Sequence, residues 1–205
     1  MTIRFHKGDL ADLSNYDVEA VAIDTETLGL NPHRDRLCVV QLSPGDGTAD
    51  VVQIAAGQKR APNLVSLLKN RKTTKIFHFG RFDLAVLYKA FGAMPEPVFC
   101  TKIASRLTRT YTDRHGLKEI CNELLGVSLS KVQQSSDWAA QTLSPEQLEY
   151  AASDVLYLHR LRDVLVGRLE RDGRAAEAAA CFKFLPTRAK LDLMGWDEED
   201  IFAHS

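Results

Sequence analysis

Acidic side chains at the end of the first apolar run could hold a metal ion. Asp24 and Glu26 follow the apolar residues 21–23, at the point where a strand would end. Because alternate residues of a strand share a face, the two carboxylates lie on one side, about 7 Å apart along the chain. Carboxylate oxygens are the ligands that hard cations such as Mg²⁺ prefer. Taken alone, the pair is also compatible with an ordinary solvated strand end.

Two more acids, and one tyrosine, come later in the chain. Asp83 lies at the start of a predicted helix, where an aspartate often serves as a cap or as a partner of the helix dipole. Tyr150 and Asp154 are four residues apart on another predicted helix, so they share a face beside its apolar stripe. An acid at that boundary needs either a metal ion or a buried hydrogen bond as its partner.

The elements that would position these residues begin with three apolar runs, at residues 18–23, 37–42 and 49–54. Turn residues separate the runs, which predicts an antiparallel three-strand meander. A short helical pattern at 63–68 and an apolar strand at 75–79 follow. The alternation of strand and helix patterns indicates an α/β fold.

The rest of the chain is mainly helical in pattern. Ser144 is a predicted N-cap with the glutamine of a capping box, Gln147, and it begins a helix whose apolar stripe runs to Leu169. A final helical segment, 174–185, is expected to stop at Pro186. The other predicted elements are a short strand at 98–99 and helices at 82–91, 101–107 and 117–125.

These elements predict an α/β domain with a mixed central sheet, a three-strand antiparallel meander plus parallel strands, flanked by helices. Strand ends in such folds open onto one crevice, where the four acids could converge if the last helix lies beside the first strand. Four carboxylates without counter-charges would repel one another strongly, and divalent cations would remove that repulsion. A set without His or Cys favours Mg²⁺ or Mn²⁺.

The order of these motifs resembles a known family. Asp24-x-Glu26, the stretch 78–84 that contains Asp83, and Tyr150-x-x-x-Asp154 are similar to the three motifs of DEDD-superfamily exonucleases of the tyrosine subclass. The stretches 116–127 and 134–138 resemble ribonuclease D. The resemblance spans roughly residues 18–170.

This resemblance implies a ribonuclease H-like fold and hydrolysis from a 3′ end with two divalent metal ions, Mg²⁺ or Mn²⁺. The catalytic residues would be Asp24, Glu26, Asp83, Tyr150 and Asp154. Asp24, Glu26 and Asp154 would hold the first ion, and Asp24 would bridge to the second. Asp83 would support the second ion through water, and Tyr150 would orient the attacking water.

Four residues are predicted to contact the substrate: Thr25, Leu30, His78 and Phe82. In related exonucleases an apolar residue at the place of Leu30 separates the last two bases, although an ordinary loop anchor is the alternative. Phe82 could stack on a base or pack in the core. His78 resembles a histidine of ribonuclease D-like proteins, and a core hydrogen bond is its other interpretation.

Composition limits the kind of substrate. The chain has 205 residues, 45% hydrophobic residues and a net charge of −1, as in an ordinary globular protein. Near-zero charge argues against coating long nucleic acid, because such binding depends on phosphate neutralisation by Lys and Arg.

The N-terminus lacks an apolar signal region and no run of about 18 apolar residues occurs, so a cytoplasmic protein without a membrane partner is expected.

The sequence predicts two parts, an exonuclease domain at 1–170 and a helical extension at 171–205 that packs on the domain or on a neighbouring subunit. In its short length the chain resembles the bacterial ribonuclease D-like proteins called nanoRNase C. Those proteins degrade very short oligoribonucleotides and form rings of subunits. We therefore expect a 3′-5′ exoribonuclease that acts on short RNA with a free 3′ end, in a homo-oligomer such as a ring. The alternatives are ribonuclease D-like processing of structured RNA ends, a DNA exonuclease and a non-catalytic nucleic-acid-binding module.

Overall fold

A computed structural model describes residues 2–130, 132–133 and 135–204 of the chain. Gln134, which begins one of the stretches that resemble ribonuclease D, lies outside the described residues. Within those ranges six strands form one mixed sheet. They are β1 (Thr2–Lys7), β2 (Ala20–Thr27), β3 (Leu37–Ser43), β4 (Thr48–Gln53), β5 (Thr74–Phe77) and β6 (Val98–Cys100).

The strands lie in the order β1-β4-β3-β2-β5-β6. Strands β2, β3 and β4 form the antiparallel meander, and the pairs β1–β4, β2–β5 and β5–β6 are parallel. The predicted α/β fold with a mixed sheet is therefore confirmed. β2 lies near the middle of the sheet, so both of its faces are covered.

Edge strand β1 was not predicted from the sequence. Its residues are mostly polar, and it pairs in parallel with β4, where side chains also contact Asp50. Arg4 donates two hydrogen bonds to that carboxylate, at 2.8 and 2.7 Å, and His6 and Tyr16 contact it at 2.7 and 2.6 Å. Asp50 is 2% exposed, and these partners hold the pKa of its carboxyl below the usual value against the effect of burial.

Helices cover both faces of the sheet. Val21 and Ile23 of β2 belong to a core shared with the first two helices, whereas Ala20 and Ala22 belong to a core shared with the fifth and sixth. Alternate residues of β2 therefore point into opposite layers. The helices are α1 (Pro62–Lys69), α2 (Gly80–Phe91), α3 (Thr101–Thr108), α4 (Leu117–Leu125), α5 (Pro145–Leu156), α6 (Leu158–Arg171) and α7 (Ala175–Leu191).

The predicted long helix that follows Ser144 is two helices. The capping box forms as expected: the Ser144 hydroxyl accepts from the Gln147 backbone N–H at 3.2 Å, and the Gln147 side chain accepts from the Ser144 N–H at 2.9 Å. The helix then breaks at Tyr157, between α5 and α6. Both helices keep apolar residues toward the sheet, so the hydrophobic stripe continues across the break and does not reveal it.

Pro186 does not end the last helix, contrary to the prediction. Helix α7 continues through it to Leu191. Leu185, Pro186 and Ala189 are buried on the core beside α2, and their burial offsets the backbone hydrogen bond that proline cannot donate.

The segment after α7 is tied back to α2. Arg81 donates to Asp192 in a two-pronged ion pair, at 2.6 and 2.8 Å, and also to the Asp197 carbonyl at 2.6 Å. The division of the chain at residue 170 stays a prediction. None of the described helices has the length and hydrophobicity needed to cross a membrane.

Candidate active site

The end of β2 gathers three carboxylates on the α5 side of the sheet. Asp24 and Glu26 alternate along β2 on the face of Ala20 and Ala22, and α5 brings Asp154 against that face. The pairing register with β3 shifts after Glu26, and an irregularity of this kind redirects side chains at a strand end. One oxygen from each acid lies within 4.8 Å of the others. The structure thus brings together three of the predicted ligands.

The fourth acid reaches the same strand end from the opposite layer. Asp83 lies in the first turn of α2 and is 3% exposed. Thr25, whose side chain points away from its neighbours Asp24 and Glu26, donates its hydroxyl to Asp83 at 2.6 Å. The predicted substrate contact Thr25 therefore has its hydroxyl committed to a carboxylate.

Gln41 is a residue of the site that the sequence analysis missed. It lies on β3 directly opposite Asp24 and is fully buried. Its Nε2 donates to Asp24 Oδ2 at 2.8 Å, which fixes the orientation of that carboxylate. Its position within the apolar run 37–42 was the available signal, because a glutamine buried with such a run requires a hydrogen-bond partner.

Burial and mutual repulsion make the acids hard to ionise without a cation. Burial raises the pKa of Asp24 to about 7, and burial together with the charges of Asp24, Asp154 and Asp83 raises the pKa of Glu26 to about 10. Burial, followed by the charge of Asp24, raises the pKa of both Asp83 and Asp154 well above the usual value. Such perturbed groups in a cleft are typical of functional sites.

Tyr150 lies on α5 one turn before Asp154 and lines the same cleft. Burial, and then the negative charges of Asp154, Glu26 and Asp24, raise the pKa of its phenol. The hydroxyl therefore stays protonated at neutral pH and can orient a water molecule by hydrogen bonding, but it does not serve as a base.

The acids open into a cleft of about 350 Å³ between the end of β2 and the starts of α2 and α4. Leu30 and Phe82, two predicted substrate contacts, line it. Leu30 is 88% exposed, whereas Phe82 is partly buried and also packs against the core. The cleft is lined by Asp24, Thr25, Glu26, Thr27, Leu30, His78, Phe79, Phe82, Asp83, Lys102, Gly116, Leu117, Lys118, Leu129, Ser130, Tyr150 and Asp154.

Phe79 offers a more exposed aromatic surface than Phe82. It is 46% exposed and has a φ of 65°, a left-handed conformation that is rare for a bulky residue. Lys102 places its Nζ 4.3 Å from the centre of the Phe79 ring. An aromatic face beside a cation suits a nucleotide, which carries a flat base and a phosphate.

His78, the remaining predicted substrate contact, lines the cleft but is engaged within the protein. Its Nδ1 lies 2.9 Å from the Thr101 hydroxyl, which donates to the Phe77 carbonyl at 3.2 Å. Burial, and then the positive charge of Lys102, lower the pKa of His78 to about 3. The ring is therefore neutral, and its contact with substrate stays a prediction.

The donor set suits a hard divalent cation. Asp24, Glu26 and Asp154 present oxygen atoms alone, close enough to share one ion. A positive ion among them would also remove the repulsion that raises their pKa values. These residues fit the Mg²⁺ or Mn²⁺ that the sequence motifs imply.

Comparison with known proteins supports the same kind of site. Residues 8–170 match the 3′-5′ exonuclease family. The chain is 37% identical over 163 residues to the ribonuclease D of Acidiphilium cryptum (strain JF-5), a match that covers 78% of this chain and 41% of the relative. The chain thus spans about two fifths of the length of that curated relative.

The solved structures that resemble the whole chain include two of a Brucella melitensis protein. Brucella melitensis NrnC with bound Mg²⁺ is 79% identical with a TM-score of 0.97, and the match covers 100% of both chains. Brucella melitensis NrnC bound to pGG is 80% identical with a TM-score of 0.98, again over 100% of both chains. The match of residues 8–170 and this likeness agree with the motifs at Asp24, Asp83 and Asp154, and the chain belongs to the 3′-5′ exonuclease family.

Proposed function

We propose that this protein is a metal-dependent 3′-5′ exoribonuclease that favours short oligoribonucleotides, down to dinucleotides. The convergence of the Asp24, Glu26 and Asp154 oxygens within 4.8 Å carries the proposal. Asp83 supplies the fourth carboxylate, and it accepts a hydrogen bond from Thr25, the residue between Asp24 and Glu26. Binding of pGG by the Brucella protein supports a short RNA as the substrate.

Residues of this chain can be assigned to each role in the proposed reaction. Asp24, Glu26 and Asp154 would hold the divalent ions, with Asp24 shared and Asp83 supporting the second position. Such ions acidify a bound water and stabilise the leaving 3′ oxygen. Tyr150, protonated at neutral pH, orients the attacking water. Gln41 keeps Asp24 aligned throughout.

The cleft suits the end of a short strand. Its volume of about 350 Å³ is near the lower end of ligand pockets, which run from roughly 300 to 1,000 Å³. Leu30 and Phe79 present apolar surface for bases, and Lys102 and Lys118 present positive charge for phosphate. The near-neutral net charge of −1 adds little general attraction for long nucleic acid.

The second candidate is trimming of structured RNA or of DNA 3′ ends. The name of the Acidiphilium relative, ribonuclease D, favours RNA over DNA within this candidate. The two candidates differ in the substrate length that they prefer, because a site that fits a whole dinucleotide gains nothing from a longer strand.

The test compares 5′-labelled RNAs of two, seven and twenty nucleotides with a DNA 20-mer, in Mg²⁺ or Mn²⁺, with Asp24→Asn as the inactive control. Our proposal predicts that the dinucleotide has the highest kcat/KM and that cleavage is lost in the variant. Sparing of the dinucleotide with stepwise shortening of the longer strands would favour the second candidate. Metal-dependent cleavage that persists in Asp24→Asn would contradict both.

We also propose that the protein self-associates. Exposed apolar residues cluster after α7, where Phe202 is 76% and Met194 67% exposed, and Phe202 contacts the Phe184 ring at 5.7 Å between centroids. Such surface commonly marks an interface. Light scattering after size-exclusion chromatography, with Phe202→Ser for comparison, tests the assembly; a wild-type monomer would contradict it.

A further inference from the structure

Leu30 is an exposed leucine on a closely hydrogen-bonded loop. It is 88% exposed at the rim of the cleft, in the segment 28–36 between β2 and β3, called here the Leu30 loop. The loop's two ends are joined by a hydrogen bond from the Leu28 N–H to the Arg36 carbonyl, at 3.1 Å. The hydroxyl of Thr27 donates to the Gly29 carbonyl at 2.5 Å. The loop therefore displays an apolar side chain that it does not bury.

Asp35 closes the loop from within. Its carboxylate accepts from the Asn31 N–H at 3.0 Å, and its own N–H donates to the Asn31 carbonyl at 2.7 Å. A Cβ atom at Gly29 would lie 2.4 Å from Asp35 Oδ2. Gly29 is therefore required for the carboxylate to approach the turn that precedes Leu30.

Lys89 ties the loop to the rest of the site. Its Nζ donates to the carbonyls of Pro32 and His33, at 2.7 and 2.6 Å. Lys89 lies on α2, the helix that also carries Asp83 in its first turn. One rigid helix thus holds both a carboxylate of the site and the loop that presents Leu30.

We propose that Lys89 is a positioning residue for substrate binding, and that it fixes the distance between Leu30 and the carboxylates. This inference rests on the proposed function, in which Leu30 contacts the terminal bases. A loop that is already ordered before binding loses little conformational entropy when the substrate arrives. Without Lys89 the loop keeps its internal hydrogen bonds but loses its attachment to α2, and the substrate must fix its position. Binding therefore weakens while the chemical step, which depends on the carboxylates, continues.

The test measures KM and kcat for a 5′-phosphorylated GG dinucleotide with Lys89→Met, which removes the donors and keeps most of the apolar stem. We expect KM to rise roughly 3- to 10-fold and kcat to change less than twofold, since ordering cost is added only to binding. Lys89→Arg, which retains donors, should restore most of the affinity. Lys69→Met is the control, because it removes the charge of an exposed lysine in the last turn of α1. It should leave KM and kcat at their wild-type values.

The Leu30→Ala background separates the inference from the function on which it rests. Leu30→Ala alone should raise KM, and Lys89→Met should then add little, because the two changes act on one contact. An unchanged KM in Leu30→Ala would overturn the substrate role of Leu30, and the inference with it. If Leu30→Ala raises KM but Lys89→Met does not, or if the two effects are fully additive, the role of Lys89 alone is overturned.

Discussion

Gln41 Nε2 lies 2.8 Å from Asp24 Oδ2, across the pair β2–β3, so a fully buried side chain holds a carboxylate that lines the cleft. Gln41, a neutral donor, thereby holds one oxygen of Asp24, the carboxylate that the two proposed metal ions would share. Hydrogen-bond partners behind a metal ligand orient it and typically affect metal affinity by roughly 10- to 100-fold.

Gln41→Leu should therefore weaken metal binding more than substrate binding. We expect the Mg²⁺ concentration for half-maximal activity to rise at least roughly 10-fold, measured by titrating Mg²⁺ at saturating substrate. Gln53→Leu on β4 is the control, since Gln53 donates instead to the Ala140 carbonyl at 2.8 Å. An unchanged Mg²⁺ requirement in Gln41→Leu would show that Asp24 is aligned without this contact.

Thr25→Val should lower kcat because it removes the 2.6 Å hydrogen bond to Asp83 without changing side-chain volume much. Asp83 is 3% exposed, so its carboxyl group would stay buried without this donor. It would also lose the contact that fixes its present orientation. We expect a loss of roughly 10-fold in kcat and of about 1 kcal/mol in the free energy of unfolding. Thr25→Ser, which keeps the hydroxyl, should restore activity; wild-type kcat in Thr25→Val would argue against this role.

The pH dependence of stability should report the clustered acids. The pKa values of Asp24 and Glu26 are raised to about 7 and about 10 from ordinary values near 4, so between those limits the folded, metal-free protein binds more protons than the unfolded chain. The free energy of unfolding contributed by these groups therefore falls as pH rises from about 4 through these pKa values. Bound cations oppose this loss.

The expected result is a rise in Tm on adding the same concentration of Mg²⁺ that is larger at pH 8 than at pH 5. At pH 5 the protonated acids bind the ion poorly, because metal binding must displace their protons. Thermal melting with Mg²⁺ or with EDTA at both pH values measures the difference. Equal gains at the two pH values would contradict the raised pKa values.

Arg81→Met should destabilise the fold by loosening the C-terminal segment from α2. Arg81 and Asp192 form a two-pronged ion pair in which the Asp192 side chain is 7% exposed, and the change leaves that carboxylate with Arg188, at 3.1 Å, as its remaining partner. We expect a loss of about 1–3 kcal/mol in urea unfolding. Arg171→Met, which breaks the surface pair with Asp172, should lower stability much less, because solvent screens that pair. Equal losses would mean that burial of the Asp192 pair has no effect.

The sequence reveals those parts of the fold whose signals are local. The meander β2–β4 follows apolar runs bounded by turn residues, and the start of α5 follows a capping box. Edge strand β1 pairs with β4, and its Arg4 contacts Asp50, 46 residues away, so no local sequence pattern predicts the strand. The continuation of α7 through Pro186 depends on burial against α2, which is equally non-local.

The same distinction holds within the site. Spacing along β2 and α5 places Asp24, Glu26 and Asp154 on facing surfaces, and the structure brings their oxygens together. The partners of the acids are set by the register between strands and by the packing of opposite layers. Gln41 was therefore missed, and the contact of the Thr25 hydroxyl with Asp83 was not predicted. The contact of Thr25 with substrate stays a prediction.

The central claim is that carboxylates at the end of β2 support metal-dependent hydrolysis, and replacement of one ligand with its uncharged isostere tests it most directly. We would measure hydrolysis of a 5′-labelled RNA heptamer in Mg²⁺ by Asp154→Asn, beside Asp163→Asn, which changes an exposed aspartate on the next helix, α6. The account predicts a loss of at least roughly 1,000-fold for Asp154→Asn, with its Tm retained, and wild-type activity for Asp163→Asn. Substantial Mg²⁺-dependent hydrolysis by a folded Asp154→Asn protein would contradict it.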